Sequence, residues 1–312
     1  MMSQILITGG AGYIGSMLAT KLVLLGHKVT VVDKLIYSKN SLNHLFFYTN
    51  FKLIKKDIRD KYFNKKFFNK FEFIIPLAAL VGAPLCEKNK KIAIAINYNA
   101  ILSLVKKIHK KQKIIFMNSN SGYGVGEKNK FCDENSLLKP ISLYGKTKAE
   151  AEIEILKHKN SVCFRLATVF GYSYRMRTDL LVNNFVYKAV KTKSLEIFEP
   201  NFRRNFIHVS DVVDGITFAI NNFSKMRGNI YNLGLSSANI TKLQLAKKVK
   251  KYIKTLKIKI IYGVKDPDQR DYFVSNKKIE NIGFKAKTSL DTGINEMVEV
   301  FNNAKLKIQN NY

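Results

Sequence analysis

Short apolar segments alternate with helix-like segments along the first half of the chain. Six segments rich in apolar and β-branched residues lie at 4–8, 28–34, 51–58, 71–79, 113–119 and 161–171. Helical spacing of apolar residues recurs between them, most clearly over 16–26, 92–111 and 146–158. Near-continuous apolar strands that alternate with helices are typical of a parallel sheet covered on both faces. The pattern predicts an α/β fold with a Rossmann-type doubly wound parallel sheet.

The alternation weakens after about residue 172, where short mixed segments predict a smaller mixed α/β substrate-binding lobe. We therefore divide the chain into a Rossmann domain of residues 1–171 plus about 206–232, and a lobe of residues 172–205 and 233–312. The length of 312 residues suits this division and provides for an ample buried core.

Composition narrows the class of protein. The formal net charge is +30, but the lysines are scattered, whereas a nucleic-acid binder more often shows a focused basic stripe with arginines and aromatics. We therefore expect no nucleic-acid partner and a field that favours anionic ligands. No apolar run is long enough to span a membrane, and the early first strand leaves no room for a leader. The three distant cysteines have no metal-ligand spacing, so we expect reduced thiols, no metal and a cytoplasmic location.

A glycine-rich loop follows the first predicted strand. Gly9, Gly10, Gly12 and Gly15 in GGAGYIG open the first helical segment, and Asp33 ends the next strand 18 residues after Gly15. Such a loop lets a pyrophosphate approach the backbone at a helix N-terminus, while the acidic residue accepts hydrogen bonds from the adenosine ribose. A structural turn with an incidental aspartate is the alternative. We interpret the loop as a dinucleotide site, and expect NAD rather than NADP because Asp33 repels a 2′-phosphate.

A tyrosine and a lysine stand one helical turn apart in SLYGKTK. Tyr144 and Lys148 therefore project from one face of a helix. They could be an ordinary amphipathic pair, or a phenol beside an ammonium. A free tyrosine titrates near pH ~10, so it needs a cationic neighbour to act as a base at neutral pH.

The chain resembles the extended short-chain dehydrogenase/reductase family, NAD-dependent enzymes that epimerise, dehydrate or oxidise nucleotide sugars. The resemblance covers essentially the whole chain and is carried by GGAGYIG, DIRD at 57–60, YGKTK and FRRNFIHVSDV. It implies that Tyr144 is the catalytic acid/base and that Lys148 stabilises its phenolate and holds the nicotinamide ribose. Ser119, four residues before Tyr123, would orient the substrate hydroxyl, with Ser121 as the alternative.

The same resemblance implies two sets of binding residues and a dimer formed through the helices within 92–111 and 146–158. The cofactor set is Gly9, Gly12, Tyr13, Ile14, Gly15, Asp33, Asp57, Ile58, Leu77, Ala78, Ala79, Asn97, Tyr144 and Lys148. The substrate set is Ser119, Ser121, Tyr144, Arg175, Arg177, Asn183, Arg204 and Arg270. In this lysine-rich chain, arginine indicates places where a planar fork is needed to bind phosphate. A surface salt bridge is the alternative for each arginine.

The residues after the fifth strand favour some reactions over others. Nucleotide-sugar 4,6-dehydratases resemble this chain but have Thr-Asp-Glu where it has Ser119-Asn120-Ser121, which cannot supply the acid and base of dehydration. Oxidation at C4 remains, either as a 4-dehydrogenase or as a 4-epimerase. NSGYGVGEK, RMRTDLLVN and DPDQRDYFVSN are similar to the GDP-manno-heptose 4-dehydrogenases of bacterial capsule synthesis. A non-catalytic NAD-binding sensor on the same scaffold is the alternative of another class.

Overall fold

The computed structural model describes residues 2–127, 130–263 and 270–303. The first four residues of DPDQRDYFVSN (266–269) and the end of the predicted lobe (304–312) lie outside the described residues.

Strands and helices alternate as the apolar pattern predicts. The strands are β1 (Gln4–Thr8), β2 (Lys28–Asp33), β3 (Phe51–Lys55), β4 (Phe73–Pro76), β5 (Lys113–Ser119), β6 (Phe131–Cys132), β7 (Ser161–Leu166), β8 (Thr168–Phe170), β9 (Ser194–Ile197), β10 (Arg203–His208), β11 (Asn229–Leu233), β12 (Asn239–Thr241), β13 (Lys257–Ile260) and β14 (Phe273–Val274). The α-helices are α1 (Tyr13–Leu24), α2 (Lys65–Phe68), α3 (Ala83–Lys88), α4 (Lys90–Ile94), α5 (Ala100–Lys107), α6 (Leu143–Leu156), α7 (Leu181–Thr192), α8 (Val209–Asn221), α9 (Phe223–Met226), α10 (Lys242–Tyr252), α11 (Lys277–Asn281) and α12 (Leu290–Asn303).

A parallel sheet of seven strands forms the centre of the molecule, in the order β3-β2-β1-β4-β5-β7-β11. The order reverses at β1, whose Ile5 pairs with Val29 on one side and Phe73 on the other. Ligands of open parallel sheets bind beyond the carboxyl ends of the strands at such a reversal. The predicted doubly wound sheet is confirmed, and the reversal places the glycine loop that follows β1 at its edge.

Helices cover both faces of this sheet. On one face α1 packs beside α8, and on the other α5 packs beside α6. Alternate side chains of β5 are buried on opposite faces of the sheet. Ile115 and Met117 pack in the largest hydrophobic cluster, whereas Ile114 and Phe116 pack in a smaller cluster on the other face. Burial on both sides explains why the strands are apolar throughout.

Smaller sheets build the rest of the described chain. β8, β10 and β12 form one, β9 pairs with β13, and β6 pairs with β14. Helices α7, α10 and α12 pack together beside them. Segment 209–233 contains β11, which forms one edge of the large sheet, and α8, which packs beside α1 on one of its faces. The domain boundaries and the dimer stay predictions.

Local geometry differs from the sequence prediction in two places. The predicted sixth strand breaks at Ala167, whose N–H bonds to Leu233 O at 2.9 Å, and β8 then pairs with β10 instead of the large sheet. The predicted helix over 92–111 contains a π-turn at Ala95–Asn99 between α4 and α5. π-turns often occur at functional sites, and this one carries Asn97.

Candidate active site

One cleft of about 770 Å³ lies between the carboxyl edge of the large sheet and the smaller sheets. It brings together nearly all of the site residues predicted from the sequence. Those that line it are Gly9, Gly12, Tyr13, Ile14, Gly15, Asp33, Asp57, Ile58, Leu77, Ala78, Ala79, Ser119, Ser121, Tyr144, Lys148, Arg175, Arg177, Arg204 and Arg270.

The glycine loop joins β1 to α1 at the floor of the cleft. Gly9 has φ +72°, and a Cβ there would lie 2.5 Å from Ala78 N. A Cβ on Gly15 would lie 2.5 Å from Gly9 O, so the helix could not approach the loop as closely with any other residue. The loop is packed to a density that only glycine allows.

The N-terminus of α1 opens into the cleft without a side-chain cap, since Gly12 is its N-cap. Uncapped N–H groups at a helix start favour an anion, both as donors and through the helix dipole. The loop therefore fits the pyrophosphate of a dinucleotide.

Asp33 ends β2 beside this loop. Its Oδ2 accepts a hydrogen bond from Ala11 N at 3.0 Å and its Oδ1 one from Leu35 N at 2.7 Å. Burial nevertheless raises the pKa of this carboxyl group. The two backbone bonds fix the carboxylate at the cleft wall, in a position suited to ribose hydroxyls.

Asp57 lies farther along the same wall and belongs to a surface ion-pair group. Its carboxylate accepts from Arg59 at 2.6 Å and lies 3.3 Å from Lys34 Nζ. The hydrogen bond from Arg59 is the largest cause of a pKa well below the usual range for aspartate. Ile58 adds an apolar surface next to it.

Helix α6 carries the predicted catalytic pair. Ser142 caps the helix by accepting from Gly145 N at 3.2 Å, so Tyr144 and Lys148 occupy its first two turns. Gly145 allows close approach to the loop after β5, because a Cβ there would lie 3.1 Å from Ser121 O. The helix therefore places Tyr144 beside Ser119, and Lys148 lines the same cleft one turn farther along.

Burial dominates the electrostatics of both catalytic candidates. It raises the pKa of the Tyr144 phenol to about 12, an effect that the Cys86 thiol reinforces. Arg177, Arg270 and a hydrogen bond with Ser119 oppose that rise. Burial also lowers the pKa of Lys148 to about 7, and its Nζ lies 4.0 Å from the centroid of the Phe116 ring.

The cations that chiefly lower the pKa of the Tyr144 phenol in this structure are Arg177 and Arg270. Lys148, with its pKa of about 7, is only about half charged at neutral pH. Stabilisation of the phenolate by Lys148 stays a prediction.

Ser119 and Ser121 form a hydroxyl pair at the end of β5. Their Oγ atoms lie 2.7 Å apart, and Arg270 donates to Ser121 Oγ. Ser119 N also donates to Asn118 Oδ1 at 2.8 Å. The pair therefore links the catalytic edge of the sheet to an arginine from the smaller lobe.

A buried polar network connects Ser119, through Asn118, to the interior of the protein. Asn118 Nδ2 donates to Glu152 at 2.7 Å, and Glu152 pairs with Arg165 at 2.7 Å, with both charged side chains about 95 % buried (5 % and 3 % exposed). Arg165 also donates to Tyr123 Oη at 3.2 Å. Arg165 is thus a structural residue within the sheet.

The four arginines of the substrate set divide between two ends of the cleft. Arg204 lies with its guanidinium carbon 5.8 Å from the centroid of the Tyr272 ring, and Arg270 donates to the same tyrosine's hydroxyl at 3.4 Å. Arg177 pairs with Asp179. Arg175 instead lies over Tyr37, at 4.9 Å from its ring centroid, and interacts electrostatically with Asp33.

Arg175 thus lies on the cleft wall that carries Asp33. The substrate contact that the sequence predicts for it stays a prediction. Ser173 of the same loop donates to Tyr13 O at 2.6 Å, which draws the loop onto α1.

Two predicted ligand contacts, Asn97 and Asn183, do not line the described cleft. Asn97 is buried and exchanges hydrogen bonds with Leu80, donating to its O at 2.9 Å and accepting from its N at 2.8 Å. Asn183 is buried beneath Arg177, donating to its O at 2.8 Å and to Tyr13 Oη at 3.2 Å. Both amides are used by protein atoms and hold the shape of the cleft wall. Their contacts with a ligand stay predictions.

The sequence reasoning missed two residues of the site. Lys242 at the start of α10 lines the cleft, is 3 % exposed and donates to Phe198 O at 2.6 Å. Nothing separates it in sequence from the many surface lysines. Cys86 packs behind Tyr144, and its burial raises the thiol's pKa to about 11. It was recognised only as a reduced thiol.

Neither a metal site nor a membrane span is found in the part of the chain that the structure describes. No three His, Cys, Asp or Glu side chains there group to hold an ion. None of the helices there has the length and hydropathy to cross a bilayer.

Known proteins are similar to this chain in sequence and in fold. The model of the NAD dependent epimerase/dehydratase family matches residues 5–234. A CDP-paratose 2-epimerase of Salmonella typhi is 28% identical over 95% of this chain and 98% of its own.

Two solved structures superpose on almost the whole chain. The UDP-glucose 4-epimerase of Thermotoga maritima, solved with UDP-glucose, has a TM-score of 0.84 and 25% identity over 96% of this chain and 98% of its own. The UDP-glucuronic acid 4-epimerase of Bacillus cereus, solved with UDP-glucuronic acid and NAD, has a TM-score of 0.84 and 22% identity over 96% of this chain and 99% of its own, which shows a shared fold.

Proposed function

Because the chain belongs to the NAD-dependent epimerase/dehydratase family, we propose that it oxidises the C4 hydroxyl of a nucleotide-linked sugar. The substrate class we propose is GDP-manno-heptose, within surface polysaccharide synthesis, and the reaction is that of a 4-dehydrogenase. The observation that carries the proposal is the cleft that holds the glycine loop, Tyr144, Lys148 and Ser119 together.

Bound NAD, the cofactor of this family, would supply the acceptor for the hydride that leaves C4. Residues of the chain itself remove the proton of the C4 hydroxyl and orient the sugar. Tyr144 takes the hydroxyl proton as its phenolate and Ser119 positions the hydroxyl through its Oγ. The pKa of about 12 for Tyr144 already includes the lowering by Arg177 and Arg270. That value is too high for a base at neutral pH, so the proposal requires a further cation beside the phenol, which Lys148 supplies in its protonated form.

Dehydration is disfavoured by the residues between β5 and α6. Loss of water needs an acid and a base beside the sugar, whereas Ser119, Asn120 and Ser121 offer hydroxyls and an amide. Asn120 is also 1 % exposed and absent from the described lining of the cleft.

A 4-epimerase is the second candidate, and the fold shared with the Thermotoga 4-epimerase favours it. Both reactions use the same oxidation, and they differ in whether the ketone takes the hydride back. A non-catalytic sensor is the third possibility, and the cleft-facing Tyr144 and Lys148 argue against it.

Substrates deuterated at C4 separate these functions. The enzyme is mixed with NAD and with GDP- or UDP-linked sugars carrying deuterium at C4, and absorbance at 340 nm and product NMR are recorded. We expect label in accumulated NADH and a released 4-keto sugar from a GDP-heptose. Label returned to C4 of the epimer without net NADH identifies the epimerase, and no turnover of any sugar contradicts both enzyme functions.

A further inference from the structure

Arg175 occupies a place that its position in the sequence does not predict. It follows β8 in the loop that leads to α7, yet its guanidinium carbon lies 4.9 Å from the centroid of the Tyr37 ring, in the segment that follows β2. The charges of Arg175 and Asp33 act on each other. Arg175 lines the cleft and is 4 % exposed. It therefore belongs to the wall that carries Asp33.

The loop that bears Arg175 is fastened to the start of α1 by several hydrogen bonds. Tyr13 Oη donates to Gly171 O at 2.6 Å, and Ser173 Oγ donates to Tyr13 O at 2.6 Å and lies 3.2 Å from Ser16 Oγ. Arg175 N in turn donates to Ser173 Oγ at 3.3 Å. Because these contacts are buried, the backbone of Arg175 is held in a fixed relation to the glycine loop.

Charge around this position favours an anion. Arg175 and Arg177 repel each other within a buried site, and the carboxylate of Asp179 pairs with Arg177. Burial, followed by that repulsion, lowers the pKa of Arg175 to about 10. A diphosphate beside both guanidinium groups would relieve the repulsion and the desolvation together.

We propose that Arg175 binds the diphosphate of the NAD cofactor, together with the uncapped N-terminus of α1. This assigns Arg175 to the dinucleotide, and leaves Arg204 and Arg270 for the diphosphate of the nucleotide sugar. Asp33 beside it remains free to select a ribose hydroxyl over a 2′-phosphate. The proposal rests on the NAD site of the proposed function but requires no turnover, so the two can fail separately.

The assignment of Arg175 to the NAD diphosphate is tested by measuring how two variants bind NADH on the one hand and GDP or UDP on the other. Arg175→Met and Arg204→Met remove a buried guanidinium from opposite ends of the cleft at similar exposure, 4 % and 2 %. NADH affinity is measured on cofactor-stripped protein from nicotinamide fluorescence, and GDP and UDP affinities are measured by calorimetry. NADPH is titrated in parallel, and thermal melts establish that both variants are folded.

We expect Arg175→Met to weaken NADH binding about ten- to hundred-fold, as for loss of one charge-assisted hydrogen bond. The affinity of Arg175→Met for GDP or UDP should stay within about twofold of wild type. Arg204→Met should instead lose affinity for GDP or UDP and keep its affinity for NADH. If Arg175→Met does not fold, Arg175→Lys should show the same split with a smaller loss, because lysine keeps the charge without the fork.

Three results overturn the assignment. Loss of GDP or UDP binding with NADH unchanged would return Arg175 to the substrate. Equal loss for all ligands would make the residue structural. NADPH that binds wild-type protein more tightly than NADH, with that preference lost in Arg175→Met, would assign it to a 2′-phosphate.

Discussion

The buried Lys148 makes a quantitative prediction about stability and pH. Its pKa is lowered by burial from 10.5 to about 7 in the folded protein, while its Nζ lies 4.0 Å from the Phe116 ring centroid. The unfolded chain therefore holds a proton on this amine between about pH 7 and 10.5 that the folded protein releases. Folding stability should rise as the pH increases through this window, because the unfolded state binds more protons there.

The size of the stability change follows from the lowering of the Lys148 pKa. Each pH unit inside the window is worth about 1.4 kcal/mol, and the amine is already half titrated at pH 7, so stability should gain about 2 kcal/mol between pH 7 and 9. Above pH 10.5 the penalty for Lys148 disappears, and below about pH 7 it stays constant.

A methionine at this position isolates the effect from all other titrating groups. Urea unfolding of wild-type protein and Lys148→Met, both without cofactor, is measured at pH 7, 8 and 9. The advantage of the methionine variant should shrink by about 2 kcal/mol over that range. Lys146→Met on the exposed side of the same helix serves as the control and should show no such trend. A constant difference between wild type and Lys148→Met would refute the reasoning, since it would mean that Lys148 stays charged when folded.

Two further substitutions test the packing of the site. Glu152→Gln leaves Arg165 without its carboxylate in the sheet, and should cost about 3–5 kcal/mol in urea unfolding, whereas Glu150→Gln on the exposed face of α6 should cost less than about 0.5 kcal/mol. Gly9→Ala should weaken NADH binding at least about tenfold and destabilise the fold, because its Cβ would lie 2.5 Å from Ala78 N. Gly26→Ala, with φ +84° but no atom within 4 Å of the new Cβ, should lose about 1 kcal/mol of stability and keep NADH binding.

The parts of the site that the sequence predicts are those whose geometry is local. GGAGYIG needs only a strand before it and a helix after it, and Tyr144 and Lys148 need only one turn of helix. The sheet was predictable because strands buried on both faces are apolar throughout. These features require no knowledge of distant contacts.

The remainder depends on how distant segments meet. Arg175 and Arg177 are two residues apart, yet only Arg175 lies over Tyr37, in a loop that Ser173 ties to the start of α1. The buried amide of Asn183 is taken by Arg177 O and Tyr13 Oη, contacts that no local pattern encodes.

The charge of Lys148 is likewise a property of tertiary structure. It depends on burial of this α6 residue over Phe116, which belongs to strand β5.

The most direct test of the central claim is the rate of hydride transfer in Tyr144→Phe. The variant keeps the ring and removes the hydroxyl that would take the substrate's proton. In a single turnover with a reactive nucleotide sugar, NADH formation at 340 nm should slow by about 10²–10⁴-fold, while NAD affinity stays within about twofold. Tyr252→Phe, on the partly exposed surface of α10, should match wild type. Hydride transfer by Tyr144→Phe at the wild-type rate would contradict the role of this phenol and the mechanism built on it.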